Sequence, residues 1–138
     1  MSTLAFLGDD AVFDHVGMAV VSIRDTAGAD VEVIDDPLQR VSVSFVNLAG
    51  LRVELIQPLG QRSPIDRSLE NGQRLVHLCF RVPSLEAAVI RGRRFGLHQL
   101  ARPVPAVAFG DRRIAWLFSK TIGLVELLED VPAAAEVT

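Results

Sequence analysis

The sequence predicts an α+β domain built on a repeated unit, in which a strand carrying one histidine is followed downstream by a strand carrying one glutamate. Three observations lead to it. "FDHVGMAVV" and "RLVHLCFRV" are apolar stretches without a helical stripe, each holding a single histidine, His15 and His77. "VELIQP" and "VELLED" set Glu54 and Glu126 in nearly the same apolar frame. Between the members of the second pair lies a well-marked helix, and between those of the first only a remnant of one.

The elements follow in order. Residues 13–21 read as a buried strand. In "SIRDTAGAD" Gly28 and two aspartates oppose a long helix. "RVSVSFVNL" alternates with period two and runs through "AG" into "LRVELIQP", which predicts a hairpin. "SPIDRSLENG" predicts a short helix capped by Ser63, with Pro64 at its first position, Asp66 in the first turn and Gly72 as its stop. After the second histidine strand, "SLEAAVIRGRRFG" predicts a helix with Ser84 as cap, Glu86 in the first turn and Gly96 as terminator. Its arginines crowd the carboxyl-terminal end, where the helix dipole favours cations, so "RGRR" reads as a solvated face in preference to a phosphate site. Strands near "LHQLA", "RRIAWLFS" and "GLVELLE" complete the domain, and 131–138 shows no pattern. The interval from histidine to glutamate is about ten residues longer in the second half, roughly three helical turns. The boundaries expected are one domain over 1–138, with module one about 11–60, a linker helix about 63–71 and module two about 74–130.

A chain of 138 residues supports one ordinary core. It is 49% hydrophobic with a mean hydropathy of +0.31, so some apolar surface is expected to meet a partner, most simply a second copy in a homodimer. A net charge of −3 gives no general attraction to nucleic acid or an anionic membrane. The single cysteine, Cys79, excludes an intramolecular disulfide and fits a reducing compartment. "MSTLAFLGDD" is unlike a signal peptide, and no apolar run is long enough to span a bilayer, so a cytoplasmic protein is expected.

Each candidate residue has a structural reading beside its chemical one. A lone histidine in a strand is commonly a hydrogen-bonded core residue, and Glu54 has Arg52 near it for an ion pair. Cys79 reads as a small buried hydrophobe, Trp116 as core or dimer interface, and Arg81 as a substrate-carboxylate contact or a surface ion pair. Buried carboxylates are costly unless paired or metal-bound. Two of them, accompanied by two histidines at corresponding places in a repeat, suit a divalent transition ion with positions left for water or substrate oxygens.

At these residues the sequence resembles the vicinal oxygen chelate (glyoxalase/bleomycin resistance/dioxygenase) superfamily, and within it the methylmalonyl-CoA epimerase family. The resemblance covers most of residues 13–129 and is most specific at "PLG…SPI". It also takes in "HLCFRVPSLEAAV" and "IAWLFSKTIGLVELLE", with Lys120 before the glycine. It implies paired βαβββ modules forming an open curved mixed sheet around a metal cleft, here with the first-module helix shortened. Carried over by position, His15, Glu54, His77 and Glu126 fall on the family's metal ligands. The implied cofactor is a divalent ion (Co, Mn, Ni, Zn or Fe), and the implied activity is epimerisation of an acyl thioester, on CoA or an acyl carrier protein. The metal would stabilise an enolate while the α-proton leaves and returns, with Glu126 and Glu54 as the catalytic candidates. A second acid/base is sought among Glu32, Asp35 and Asp36. The paired histidines usual in the family appear here as Val76-His77, and the final turn is tighter. Alternative readings on the same fold are a glyoxalase-like lyase, a polyketide-tailoring enzyme with a remodelled cleft, and a non-catalytic antibiotic-binding protein.

Overall fold

The computed structural model describes residues 1–130, so 131–138, where the sequence carries no pattern, lies outside the described residues. In chain order the elements are β1 (Val12–Ala19), α1 (Ile23–Ala27), β2 (Ile34–Asp36), β3 (Val41–Leu48), β4 (Leu51–Pro58), α2 (Asp66–Glu70), β5 (Leu75–Val82), α3 (Leu85–Arg94), β6 (His98–Gln99), β7 (Val104–Pro105), β8 (Arg113–Ser119) and β9 (Gly123–Glu129). A 3-10 turn at Val107–Phe109 precedes β8. Among the described residues, nine strands in mixed parallel and antiparallel pairings with three short helices make this an α+β fold. The described chain forms two compact units, one of residues 15–77 and the other of residues 1–14 with 78–130.

In the unit of residues 15–77 the strand order is β2-β3-β4-β1, antiparallel except for the parallel β4–β1 pair. Leu48 pairs with Leu51, so Ala49 and Gly50 alone form the hairpin loop. Both have positive φ, 52° and 89°, as a type I′ turn requires, and Asn47 Oδ1 accepts from Gly50 N–H at 2.9 Å. The remnant helix is real but short. Ser22 Oγ accepts from Asp25 N–H at its start, and the chain leaves helical geometry at Gly28, φ 107°. Its one fully buried residue, Ile23, packs with Val20, Val53 and Leu55, while Gln57 Oε1 accepts from Ile23 N–H at 2.8 Å. Five residues therefore suffice to cover the sheet where the other half uses ten.

In the other unit the order is β5-β9-β8-β6, with β7 also on β8 and β5–β9 parallel. The helix α3 starts as expected, with Ser84 Oγ accepting from Ala87 N–H at 3.1 Å. It buries Leu85, Ala88 and Val89 against Leu117, Val125 and Leu127. Arg113 ties this helix to the sheet, meeting Glu129 through Nη2 at 2.5 Å and Nε at 3.0 Å and reaching Glu86 through Nη1 at 3.0 Å. That guanidinium holds the Glu86 carboxyl below its usual range.

One expectation is corrected. The helix α2 is capped at Ile65, without a side-chain cap bond, because Ser63 forms the preceding turn through its carbonyl, which accepts from Asp66 N–H at 3.1 Å. The strand β2 lies where the sequence predicts no element, and it is formed by pairing with β3 over three residues.

Candidate metal centre

The parallel register of β1 and β4 sets Gly17 beside Glu54, and the β3–β4 register sets Phe45 opposite Glu54. In-register neighbours share a face of a sheet and alternate residues along a strand do too. His15, Gly17, Phe45 and Glu54 are thus brought to one face, while Val53 and Leu55 take the other and pack on Ile23. The apolar stripe decides which face the polar residues occupy. A one-residue slip in either strand would exchange them.

His15, Glu54 and His77 are buried, at 0%, 6% and 6% exposure. Glu54 Oε1 lies 3.3 Å from His15 Nε2 and 3.5 Å from His77 Nε2, and the two Nε2 atoms are 3.4 Å apart. The three atoms form a nearly equilateral triangle. A triangle of those sides has a centre about 2 Å from each corner, the distance at which nitrogen and oxygen ligands hold a divalent transition ion. Two neutral imidazoles and one carboxylate also form a donor set such an ion prefers. On geometry and chemistry, the residues present fit a metal.

Phe45 presents an edge contact to the His15 ring at 5.4 Å between centroids, and the Arg52 guanidinium lies 4.2 Å over the Phe45 ring. The arginine covers the aromatic ring and the Glu54 carboxylate meets both imidazoles.

Glu126 is 2% exposed on β9, in the other unit, in register with Cys79 of β5 and Trp116 of β8. Cys79 is fully buried, as a small hydrophobe would be, two residues beyond His77 on the same strand. Arg81 takes the ion-pair reading: its Nη1 donates to Asp14 Oδ1 at 2.7 Å, and that hydrogen bond raises its pKa. Asp14 is buried immediately before His15. Of the residues considered for a second acid/base, Glu32 is exposed, Asp35 accepts from Ser42 Oγ at 2.6 Å, and Asp36 accepts from Gln39 N–H at 3.1 Å. Both aspartates brace the β2–β3 connection.

The profile of the Glyoxalase/Bleomycin resistance protein/Dioxygenase superfamily matches residues 14–116, most of the chain and three of the four candidate ligands. The chain belongs to this superfamily. Among its relatives in the superfamily is the mitochondrial methylmalonyl-CoA epimerase of Mus musculus, 35% identical over 126 residues that cover 83% of this chain and 70% of that one. The ethylmalonyl-CoA/methylmalonyl-CoA epimerase of Cereibacter sphaeroides is 32% identical, covering 83% and 94%. The crystal structure of methylmalonyl-CoA epimerase from Mycobacterium tuberculosis shares the fold, with a TM-score of 0.71 at 23% identity, covering 96% of this chain and 94% of that one. These relatives are named for an isomerase reaction. No helix among the described residues is long and apolar enough to cross a membrane.

Proposed function

We propose that this protein is a divalent-metal-dependent epimerase of an acyl thioester of the methylmalonyl-CoA kind. The observation that carries the reading is the buried triangle of His15, Glu54 and His77, whose sides match a common ion. Glu126 is assigned as the fourth ligand from its place in the repeat, and its burial in an apolar strand supports that role. On this reading 1–138 acts as one domain, with modules at about 11–60 and 74–130 joined through the helix near 63–71. Two further parts of the proposal are a homodimer and a cytoplasmic location.

Bound among these residues, a divalent ion supplies Lewis-acid polarisation of substrate oxygens. The chain supplies the rest. His15 and His77 offer Nε2 to the ion, and Glu54 offers Oε1, its charge offsetting part of the ion's. The Glu126 carboxylate is the group proposed to take the α-proton and Glu54 the second catalytic candidate, while inversion requires a return from the opposite side. Asp35 and Asp36 are engaged in the β2–β3 connection, which argues against either as that second acid.

Incubating the protein with methylmalonyl-CoA in deuterium oxide and following the α-proton by NMR tests the proposal. Exchange that disappears with chelator and returns with added divalent ion is expected. Absence of exchange above background in the metal-loaded protein would reject this substrate. A second reading, a glyoxalase-like or polyketide-tailoring enzyme using the same ion, is favoured by one observation, the reduction of α1 to five residues, which remodels a wall of the first module. Stoichiometric metal without thioester exchange would support it. A metal-free protein that tightly binds an apolar ligand would instead indicate the non-catalytic binder.

A further inference from the structure

We propose that Gly17 is a positioning residue, whose missing side chain is the berth of the His77 imidazole; the inference rests on the metal reading above and deepens it. Gly17 sits within β1, in register with Glu54. Its backbone does not adopt the left-handed conformation that favours glycine, unlike Gly28, Gly50 and Gly72. Nothing in its φ therefore excludes a side chain. Glycine inside a strand gives up packing area and conformational entropy, so its presence points to a close approach.

The approach is by His77. A Cβ built on Gly17 would stand 2.1 Å from Cε1, 2.3 Å from Nδ1 and 2.6 Å from Nε2 of that ring. Ordinary contact between such atoms begins above about 3.4 Å, so even one methyl group would force the ring to move by more than about 1 Å. The ring lies over the very strand position that pairs with Glu54, and its Nε2 is one corner of the ligand triangle. Displacing it by that amount opens the triangle, while His15 and Glu54 keep the strand positions that aim them. Gly17 accordingly offers no donor atom to the ion, yet by lying against the His77 ring it sets where one ligand atom lies.

The test is a double-mutant cycle of Gly17→Ala and His77→Ala, read in two ways. Cobalt(II) titrations followed by visible absorption should show that Gly17→Ala weakens binding at least about tenfold in the native background, the loss typical when a ligand's supporting contacts are removed. In chelator, thermal melts and ring-proton NMR should show a lowered melting temperature and a shifted His77 signal for Gly17→Ala. The melting loss should vanish in the His77→Ala background, where no ring is left to collide with. Native cobalt affinity in Gly17→Ala would overturn the proposal. So would an equal melting loss with and without the His77 ring, since that would mean general damage to the strand. If Gly17→Ala does not fold, Gly17→Ala/His77→Ala folding as well as His77→Ala upholds the collision. If the native chain takes up no cobalt, the metal reading fails by itself, and the chelator measurements still decide the role of Gly17.

Discussion

At Glu54, a carboxylate 6% exposed meets two imidazoles and no bulk water to speak of, so each of the three groups depends on the others. On the proposed metal reading, replacing one ligand would remove a metal bond and leave its neighbours buried with less compensation. His15→Ala, His77→Ala and Glu54→Gln should each reduce divalent-ion affinity by more than the roughly 10- to 100-fold usual for outer-shell changes, as measured by calorimetric titration. Arg52→Ala should act differently, because its guanidinium lies over Phe45, one residue removed from the ligands. It should lower stability by about 1 kcal/mol and change metal affinity by less than an outer-shell change does. The four ligand candidates were legible as residue types at corresponding strand positions. Asp14 and Gly17 were not, because their importance arises from a guanidinium and an imidazole that approach them from β5.

Among the elements, β1 and β5 were legible as apolar runs without a helical stripe, β3 and β4 by alternation across a hairpin, and α3 by its capping signals. The strand β6 falls at "LHQLA", where a strand is expected, whereas the two-residue β7 and the three-residue β2 carry too few residues for any period and are strands only through pairing with β8 and β3. The hairpin between β3 and β4 holds Ala49 at φ 52°, a conformation that Asn tolerates better than Ala. Ala49→Asn should therefore stabilise the protein by roughly 0.5–1 kcal/mol in urea denaturation. The tie from Arg113 to Glu86 gives a pH dependence of known sign. A carboxyl whose folded pKa lies below its unfolded value contributes stability above the unfolded value, and that contribution is lost as the pH falls through the folded one. Glu86 is well exposed, so the contribution is small, and Glu86→Gln should flatten the acid side of the stability profile by no more than about 1 kcal/mol, checked by melts between neutral and acidic pH.

For the molecule as a whole, membership of the superfamily and the paired histidines and glutamates support the proposed metal use, and the five-residue α1 bears on the choice of substrate. Val12, Phe13 and Leu78 are exposed on β1 and β5, with Phe13 stacked edge-on against Phe80 at 5.9 Å. Such apolar exposure accords with the proposed homodimer, and light scattering should return about twice the 15.0 kDa chain mass. Metal bound only by the folded state stabilises it by about 2.7 kcal/mol when free ion is a hundredfold above its dissociation constant, so chelation should lower the melting temperature by several degrees. The account is tested most directly by metal content after equilibrium dialysis of the native protein and of the His15→Ala/His77→Ala double variant. It predicts one tightly held divalent ion per native chain and none in the variant. An equal content in the two proteins, or no ion in either, would contradict it.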